Sequence, residues 1–329
     1  MPRPSLPALL SCLLICLALP CRAALLIEQP VQLQHDGMLY GTLLLPGGVE
    51  RPPVALLVAG SGPTDRNGNQ PDMRNDSLRR LARLLASQGI ASLRFDKRGV
   101  AASRAAEPDE RQLSVERYVD DVLAWSRQLQ ADPRLGSLLL IGHSEGGLIA
   151  TLAAEDSGGR ALVLLAACGR RVDDLLREQL RGRLPPPLRR AADRIMVSLA
   201  RGELQPGVPA ELQTLFRPSV QPYLISLFRQ DPVAALAKTR LPVLVMQGDR
   251  DIQVGPEDAR ALAASRDGVR LALLPGVNHV LREVAEDEPP LDSYDQPQRP
   301  LAPVLGNELF RFLSETGILP PSRIAGAGR

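Results

Sequence analysis

The sequence predicts an α/β fold: a mostly parallel, doubly wound sheet that opens on an antiparallel hairpin and carries an inserted helical cap. Three observations predict it. A short continuous apolar run at residues 54–58 and similar, largely apolar runs at 90–95, 138–141, 161–166, 243–246 and 269–274 read as strands buried on both faces. Helix-like stretches separate most of them. The alternation breaks once, between residues 170 and 240, where no strand run occurs.

The first 23 residues are read as a leader rather than as part of the fold. Arg3 supplies a positive start, residues 9–19 form an apolar stretch, and Cys21-Arg22-Ala23 has the small-x-small pattern of a cleavage site. The expected location is periplasmic or secreted. Lipid anchoring at Cys21 is the alternative, and Pro20 directly before it argues against that. The apolar run is too short for a membrane span, so no stable insertion is expected after the leader is removed.

Losing residues 1–23 removes Arg3 and Arg22 and no acids, so Lys+Arg falls from 39 to 37 against 37 Asp+Glu. A neutral mature chain gives no reason to expect nucleic acid or an anionic membrane as partner. Cys12, Cys16 and Cys21 leave with the leader. Cys168 then stands alone, no internal disulfide is possible, and a buried structural thiol is expected. No Cys/His cluster points to a metal. Aromatics make up 3% of the chain, so Leu, Ala and Val must fill the core.

Along the mature chain, residues 27–35 and 38–45 flank Asp36-Gly37 and read as a hairpin. Residues 77–87, 114–130 and 256–265 read as helices, the second with Val115, Val119, Val122 and Leu129 on one face. The stretch 170–240 is rich in Leu and Arg and broken by prolines, as in several short helices. An insertion after the carboxyl end of a strand lies over the ligand crevice of an open sheet. The domain reading is therefore core over 24–169, cap over 170–240, core again over 241–318, and a disordered tail over 319–329.

The chemistry centres on Ile141-Gly142-His143-Ser144-Glu145-Gly146-Gly147. It follows one apolar run and precedes a helix expected over 148–155: strand, G-x-S-x-G, helix. Gly142 and Gly146 fit a turn too sharp for neighbouring Cβ atoms. A serine hydroxyl needs a base. Of the three histidines, His35 lies in the hairpin and His143 adjoins Ser144 with its side chain expected to point away. His279 follows the last strand run, at the same sheet edge as Ser144. The base needs an orienting acid. Asp249 and Asp251 both follow the run 243–246, and Asp251 is favoured, with Asp249 closing the turn. Two N–H donors must meet the oxyanion: that of Glu145, and one from Ala59-Gly60-Ser61-Gly62-Pro63, where Ser61 is chosen. Such a site requires no cofactor.

These segments resemble the α/β-hydrolase superfamily over most of the mature length. The matches are Gly-His-Ser-Glu-Gly-Gly at the elbow, Gly-Asp-Arg-Asp-Ile-Gln-Val at the acid loop, Asn-His-Val-Leu at the histidine, and Phe95-Asp96-Lys97-Arg98-Gly99. The resemblance implies a Ser144–His279–Asp251 triad and a loop-holding role for Asp96 and Arg98. Ala101 stands where a second glycine is common. Residues 59–69 are similar to exported or peripheral bacterial esterase-like hydrolases, with Ala-Gly replacing His-Gly. There Asp65, Arg66 and Asn69 hold the loop or line the pocket.

The leading expectation is a serine hydrolase acting on small carboxylic esters, with a modest apolar pocket drawn from cap leucines and Phe216, Tyr223 and Phe228. A serine aminopeptidase-like enzyme shares the scaffold and would use Asp173, Asp174 or Glu178 to hold a substrate ammonium. Relatives that use aspartate or cysteine in place of Ser144 are disfavoured. A non-catalytic binding relative is the reading from another class.

Overall fold

The computed structural model describes residues 25–289 and 291–319. The leader, including Cys21, and the tail beyond Leu319 lie outside the described residues. Eight strands form one sheet among the described residues: β1 (Leu26–Gln34), β2 (Met38–Pro46), β3 (Val54–Val58), β4 (Ala91–Phe95), β5 (Leu138–His143), β6 (Leu162–Leu165), β7 (Val243–Gly248) and β8 (Val269–Leu274). Their order is β1-β2-β4-β3-β5-β6-β7-β8. The hairpin β1–β2 is antiparallel and β2 joins β4 antiparallel. All later pairings are parallel.

Five of the six runs predicted as two-face-buried strands are that; the sixth, β8, is the edge of the sheet, and of its residues only Ala272 and Leu274 are buried. Every residue of β3, β4, β5, β6 and β7 is buried. Helices α1 (Ser77–Ser87), α2 (Val115–Ala131), α3 (Glu145–Ala153), α4 (Val172–Arg181), α5 (Pro186–Ala200), α6 (Gln213–Phe216), α7 (Gln221–Phe228), α8 (Pro232–Leu236), α9 (Pro256–Ala263) and α10 (Pro303–Glu315) complete the chain. Alternate residues of each strand face opposite sides, and this divides the core in two. Leu56, Leu93, Leu140 and Val245 meet α2, α3 and α9 through Trp125, Ile149 and Leu262. Leu57, Ile141, Val163 and Met246 meet α1 and α10 through Leu81, Leu85, Leu305 and Leu309. Leu319, placed by the sequence in the tail, is buried against the second cluster.

Helices α4 to α8 fill the interval between β6 and β7. Four of them have a core of their own, in which Ile195, Met196, Leu199, Phe216 and Phe228 pack together and reach Val115 of α2 and Leu148 of α3. The strand and helix ends lie within a few residues of those expected, with one difference that matters. The helix after the elbow begins at Glu145, not at residue 148. Glu-Gly-Gly reads locally as loop, yet these glycines are there for closeness. A Cβ on Gly147 would stand 2.6 Å from Ala167 Cβ.

Candidate active site

Ser144 sits between β5 and α3 with φ 55° and ψ −125°, a strained backbone that only a rigid surround maintains. The surround is tight. A Cβ on Gly142 would fall 2.3 Å from the Gly146 carbonyl oxygen, and one on Gly146 would fall 2.3 Å from that of Val58. Neither position admits a side chain, so the two glycines are what let the elbow form.

His279 lies in the loop after β8. Asn278 holds that loop: its Oδ1 accepts from the Arg282 N–H at 3.0 Å, and its Nδ2 donates to Ser293 Oγ at 2.6 Å. The Nδ1 of His279 lies 2.8 Å from Asp251 Oδ2. Asp251 is itself fixed, its Oδ1 accepting from the N–H groups of Gln253 at 2.8 Å and Val254 at 3.0 Å. Burial pushes the Asp251 carboxyl up, but the His279 ring, its hydrogen bond and those two N–H groups outweigh burial and bring it below the usual carboxylate range. An ionised Asp251 accepts the hydrogen bond from the Nδ1–H of His279, which leaves Nε2 to act as acceptor. Asp249 does something else: its Oδ1 accepts the Gly276 N–H at 2.8 Å and ties the two loops together.

His143 is closer to the site than the sequence implies. Its Nε2 lies 2.8 Å from the His279 carbonyl oxygen, and the two rings are 4.9 Å apart. A carbonyl only accepts, so Nε2 carries a proton. Burial, helped by the neighbouring His279, pushes its pKa down to about 4.

Gly60 backs onto Ser144, since a Cβ there would be 3.1 Å from Ser144 Cβ. Ser61, Ser144 and Glu145 line one cleft of about 1260 Å³. The remaining sequence-predicted residues are tied into the loops around it. Asp65 Oδ1 accepts from the N–H groups of Asn67 and Asn69 at 2.8 and 2.9 Å. Asn69 Oδ1 accepts from those of Asn75 and Asp76. Asp65 and Asn69 border the cleft, but these polar atoms are spent on the loop. Arg66 pairs with Asp96 at 2.7 Å, and Asp96 also receives the Arg66 and Ala102 N–H groups. Arg98 is buried against Asp121 at 2.6 Å and donates to the His35 carbonyl at 2.7 Å. Arg66, Asp96 and Arg98 stand outside the cleft wall.

Four expectations are corrected. Phe216 and Phe228 do not face the cleft; both are fully buried in the cap core. The pocket is not modest, since its volume exceeds the several hundred Å³ of an ordinary small-molecule site. Leu175, Leu176, Leu224 and Leu227 form an apolar wall, and Glu107, Glu110, Arg104 and Arg217 a charged one. Cys168 is half-buried on the cleft wall rather than sealed in the core. Its thiol donates to the Arg170 carbonyl at 2.9 Å, and burial together with Asp258 pushes its pKa up to about 12, so it stays protonated. Finally, the cap carboxylates are engaged elsewhere. Asp173 meets Arg171 and Arg177 at 3.2 and 3.1 Å, Asp174 meets Arg177 at 2.7 Å, and Glu178 meets Arg170 at 2.5 Å.

A family model described as serine aminopeptidase, S33, matches residues 75–284, a span that contains Ser144, Asp251 and His279. The chain belongs to that family. Its fold is the α/β-hydrolase fold. Among curated relatives, the esterase EstD of Thermotoga maritima is 26% identical over 255 residues, covering 74% of this chain. The match spans 58% of that relative's own length. Among solved structures, Est1E from Butyrivibrio proteoclasticus superimposes with a TM-score of 0.57 at 18% identity, over 87% of this chain and 98% of its own. The proline iminopeptidase of Mycobacterium smegmatis does so with a TM-score of 0.56 at 16% identity, over 88% of this chain and 98% of its own. At such identities these structures speak to the fold.

The sequence reading passed over three contributors: the His143 ring, Lys97 and the Glu145 side chain. Lys97 is buried and donates to the Gly60 carbonyl. Glu145 Oε1 accepts the Tyr223 hydroxyl from α7 at 2.6 Å. Lys97 left a signal, a lysine two residues after an all-buried strand. The Tyr223–Glu145 bond left none, because its partners are 78 residues apart.

Proposed function

We propose that the protein is a serine hydrolase that cleaves carboxylic esters through an acyl-enzyme. The observation that carries the proposal is the 2.8 Å contact between His279 Nδ1 and a buried Asp251 whose carboxyl is held ionised, in a site that shares its edge of the sheet with the Ser144 elbow. In this reading Ser144 Oγ attacks the ester carbonyl while His279 Nε2 takes its proton. The oxygen charge that develops is met by the N–H groups of Ser61 and Glu145. The carbon–oxygen bond to the alcohol then breaks, and His279 returns the proton to the leaving alkoxide. Water repeats the sequence: His279 accepts a proton, hydroxide adds to the acyl carbon, and Ser144 leaves with the proton regained.

Ester rather than peptide cleavage is supported by the charges around the cleft. An aminopeptidase must offer an unpaired carboxylate to a substrate ammonium. Asp173, Asp174 and Glu178 are paired with arginines. Of the acids that line the cleft, Glu107, Asp109 and Glu110 are paired with Arg117, Arg111 and Arg217, Asp65 is held by backbone N–H groups, and Glu145, which keeps its charge, has Oε1 taken up by the Tyr223 hydroxyl. The relative named as an esterase supports the same choice. The description of the family keeps the peptidase as a second reading.

Hydrolysis of p-nitrophenyl butyrate beside that of aminoacyl-p-nitroanilides tests the choice. We expect ester turnover to exceed anilide turnover by at least about 10³ in kcat/KM, the scale of a missing polar recognition contact. Comparable or greater anilide turnover would move the assignment to the peptidase. Action outside the cytoplasm, in the periplasm or medium, is the accompanying proposal. It is supported by the leader pattern of residues 1–23. N-terminal sequencing of the protein recovered from an exporting host is expected to begin just after Ala23. A start at Met1 or a lipid-modified Cys21 would contradict that.

A further inference from the structure

We infer that Lys97 is a positioning residue for the oxyanion hole, aiming the Ser61 N–H at the reacting carbonyl by holding the carbonyl of Gly60. The inference rests on the serine-hydrolase reading above.

Lys97 leaves the end of β4, beside the loop that follows β3. Its side chain is buried. Its ammonium donates to the Gly60 carbonyl oxygen and lies 5.4 Å from the centroid of the Tyr118 ring. It makes no salt bridge: the acid that acts on it is Glu145, whose carboxylate is occupied by the Tyr223 hydroxyl at 2.6 Å. A buried cation without a paired anion is costly. An apolar side chain would fill the same space without a desolvated charge, though it would leave the Gly60 carbonyl without this donor, so packing alone does not account for Lys97. What it does account for is the orientation of one peptide plane. No peptide bond among the described residues is cis. In a trans peptide the carbonyl of Gly60 and the N–H of Ser61 are rigidly opposed, so fixing the first aims the second. That plane lies against the nucleophile, because Gly60 is the residue whose added Cβ would come 3.1 Å from Ser144 Cβ. Exposed loops must otherwise reorganise as charge develops, and a donor fixed in advance avoids that cost. The cation on the carbonyl also polarises the N–H of the same peptide. Burial lowers the pKa of Lys97, but an uncharged amine would still donate to Gly60.

The test uses the mature chain with Lys97→Met, which removes the donor at similar volume, and Lys97→Gln, which retains an N–H donor. For p-nitrophenyl acetate we expect Lys97→Met to lose about 10²–10³ in kcat, the effect of one oxyanion donor, with KM within about threefold and no fall in melting temperature. Lys97→Gln is expected to recover at least about tenfold of that loss. Lys97→Met with kcat within about threefold of wild type overturns the inference, and so does Lys97→Gln no better than Lys97→Met. Should Lys97→Met fail to fold, Lys97→Gln decides, and a defect confined to KM contradicts a role in the transition state. A wild-type protein inert to the ester, with Ser144 unlabelled by a fluorophosphonate, would overturn the serine-hydrolase reading and this inference with it. An active wild type beside an unimpaired Lys97→Met would overturn this inference alone.

Discussion

Replacing Asp251 by Asn would keep the shape of the acid loop and remove the charge that holds the His279 tautomer. We predict a loss of about 10⁴ in kcat for Asp251→Asn, the scale seen when a triad acid becomes an amide. Asp249→Asn keeps an acceptor for the Gly276 N–H and should stay within about tenfold of wild type. Steady-state kinetics on both variants separates the two aspartates, and the reverse ranking would refute the assignment. The sequence brought both to one short loop and could rank them only by resemblance; a 2.8 Å contact to His279 is what distinguishes Asp251. His143 makes a second prediction. Its folded pKa of about 4 lies below the 6.5 of a free imidazole. The unfolded chain therefore binds the extra proton between those values. Stability is full above pH 6.5 and falls as pH drops toward 4, by roughly 3 kcal/mol at most from this group. His143→Asn should flatten the pH dependence of the melting temperature in that window by about one proton. An unchanged slope would show that His143 is not buried neutral.

At the scale of elements, the elbow depends on contact between backbones. Gly146→Ala would drive a Cβ to 2.3 Å from the Val58 carbonyl oxygen, and α3 must shift away from β3. We predict a loss of about 1–3 kcal/mol, read as a lower melting temperature, together with lost activity because Ser144 moves with the helix. Normal stability in that variant would mean the helix does not pack so closely. Most strands were legible because burial on two faces leaves a largely apolar run, as in Val54–Val58. Helix α2 was legible from its cap and its face: Ser114 accepts the Arg117 N–H at 3.2 Å. The start of α3 was not legible, since Glu-Gly-Gly has poor helix propensity and only packing on β3 and Ala167 explains it. The cap aromatics misled for a related reason. Burial decides which way Phe216 and Phe228 point, and their helices pack those rings inward while Tyr223 reaches Glu145.

Across the whole molecule, α4, α7 and the loops after β3 and β4 line the cleft together, and neither its size nor its charged wall could be read from the chain. Glu110 precedes α2 and Arg217 lies in the cap, 107 residues on. With an apolar wall of leucines in a volume of about 1260 Å³, the cleft has room for an eight-carbon acyl chain. We predict that kcat/KM for p-nitrophenyl octanoate is no lower than for the acetate, since each buried methylene adds about 0.8 kcal/mol of favourable transfer. A steep fall with chain length would place the acyl group away from that wall. The central claim is that Ser144 is the nucleophile. Mass spectrometry of the mature protein after treatment with a fluorophosphonate tests it most directly. The account predicts one phosphonyl adduct on the peptide containing Ser144, absent from Ser144→Ala and from heat-unfolded protein. Folded protein without an adduct, or with its adduct on another residue, would contradict it.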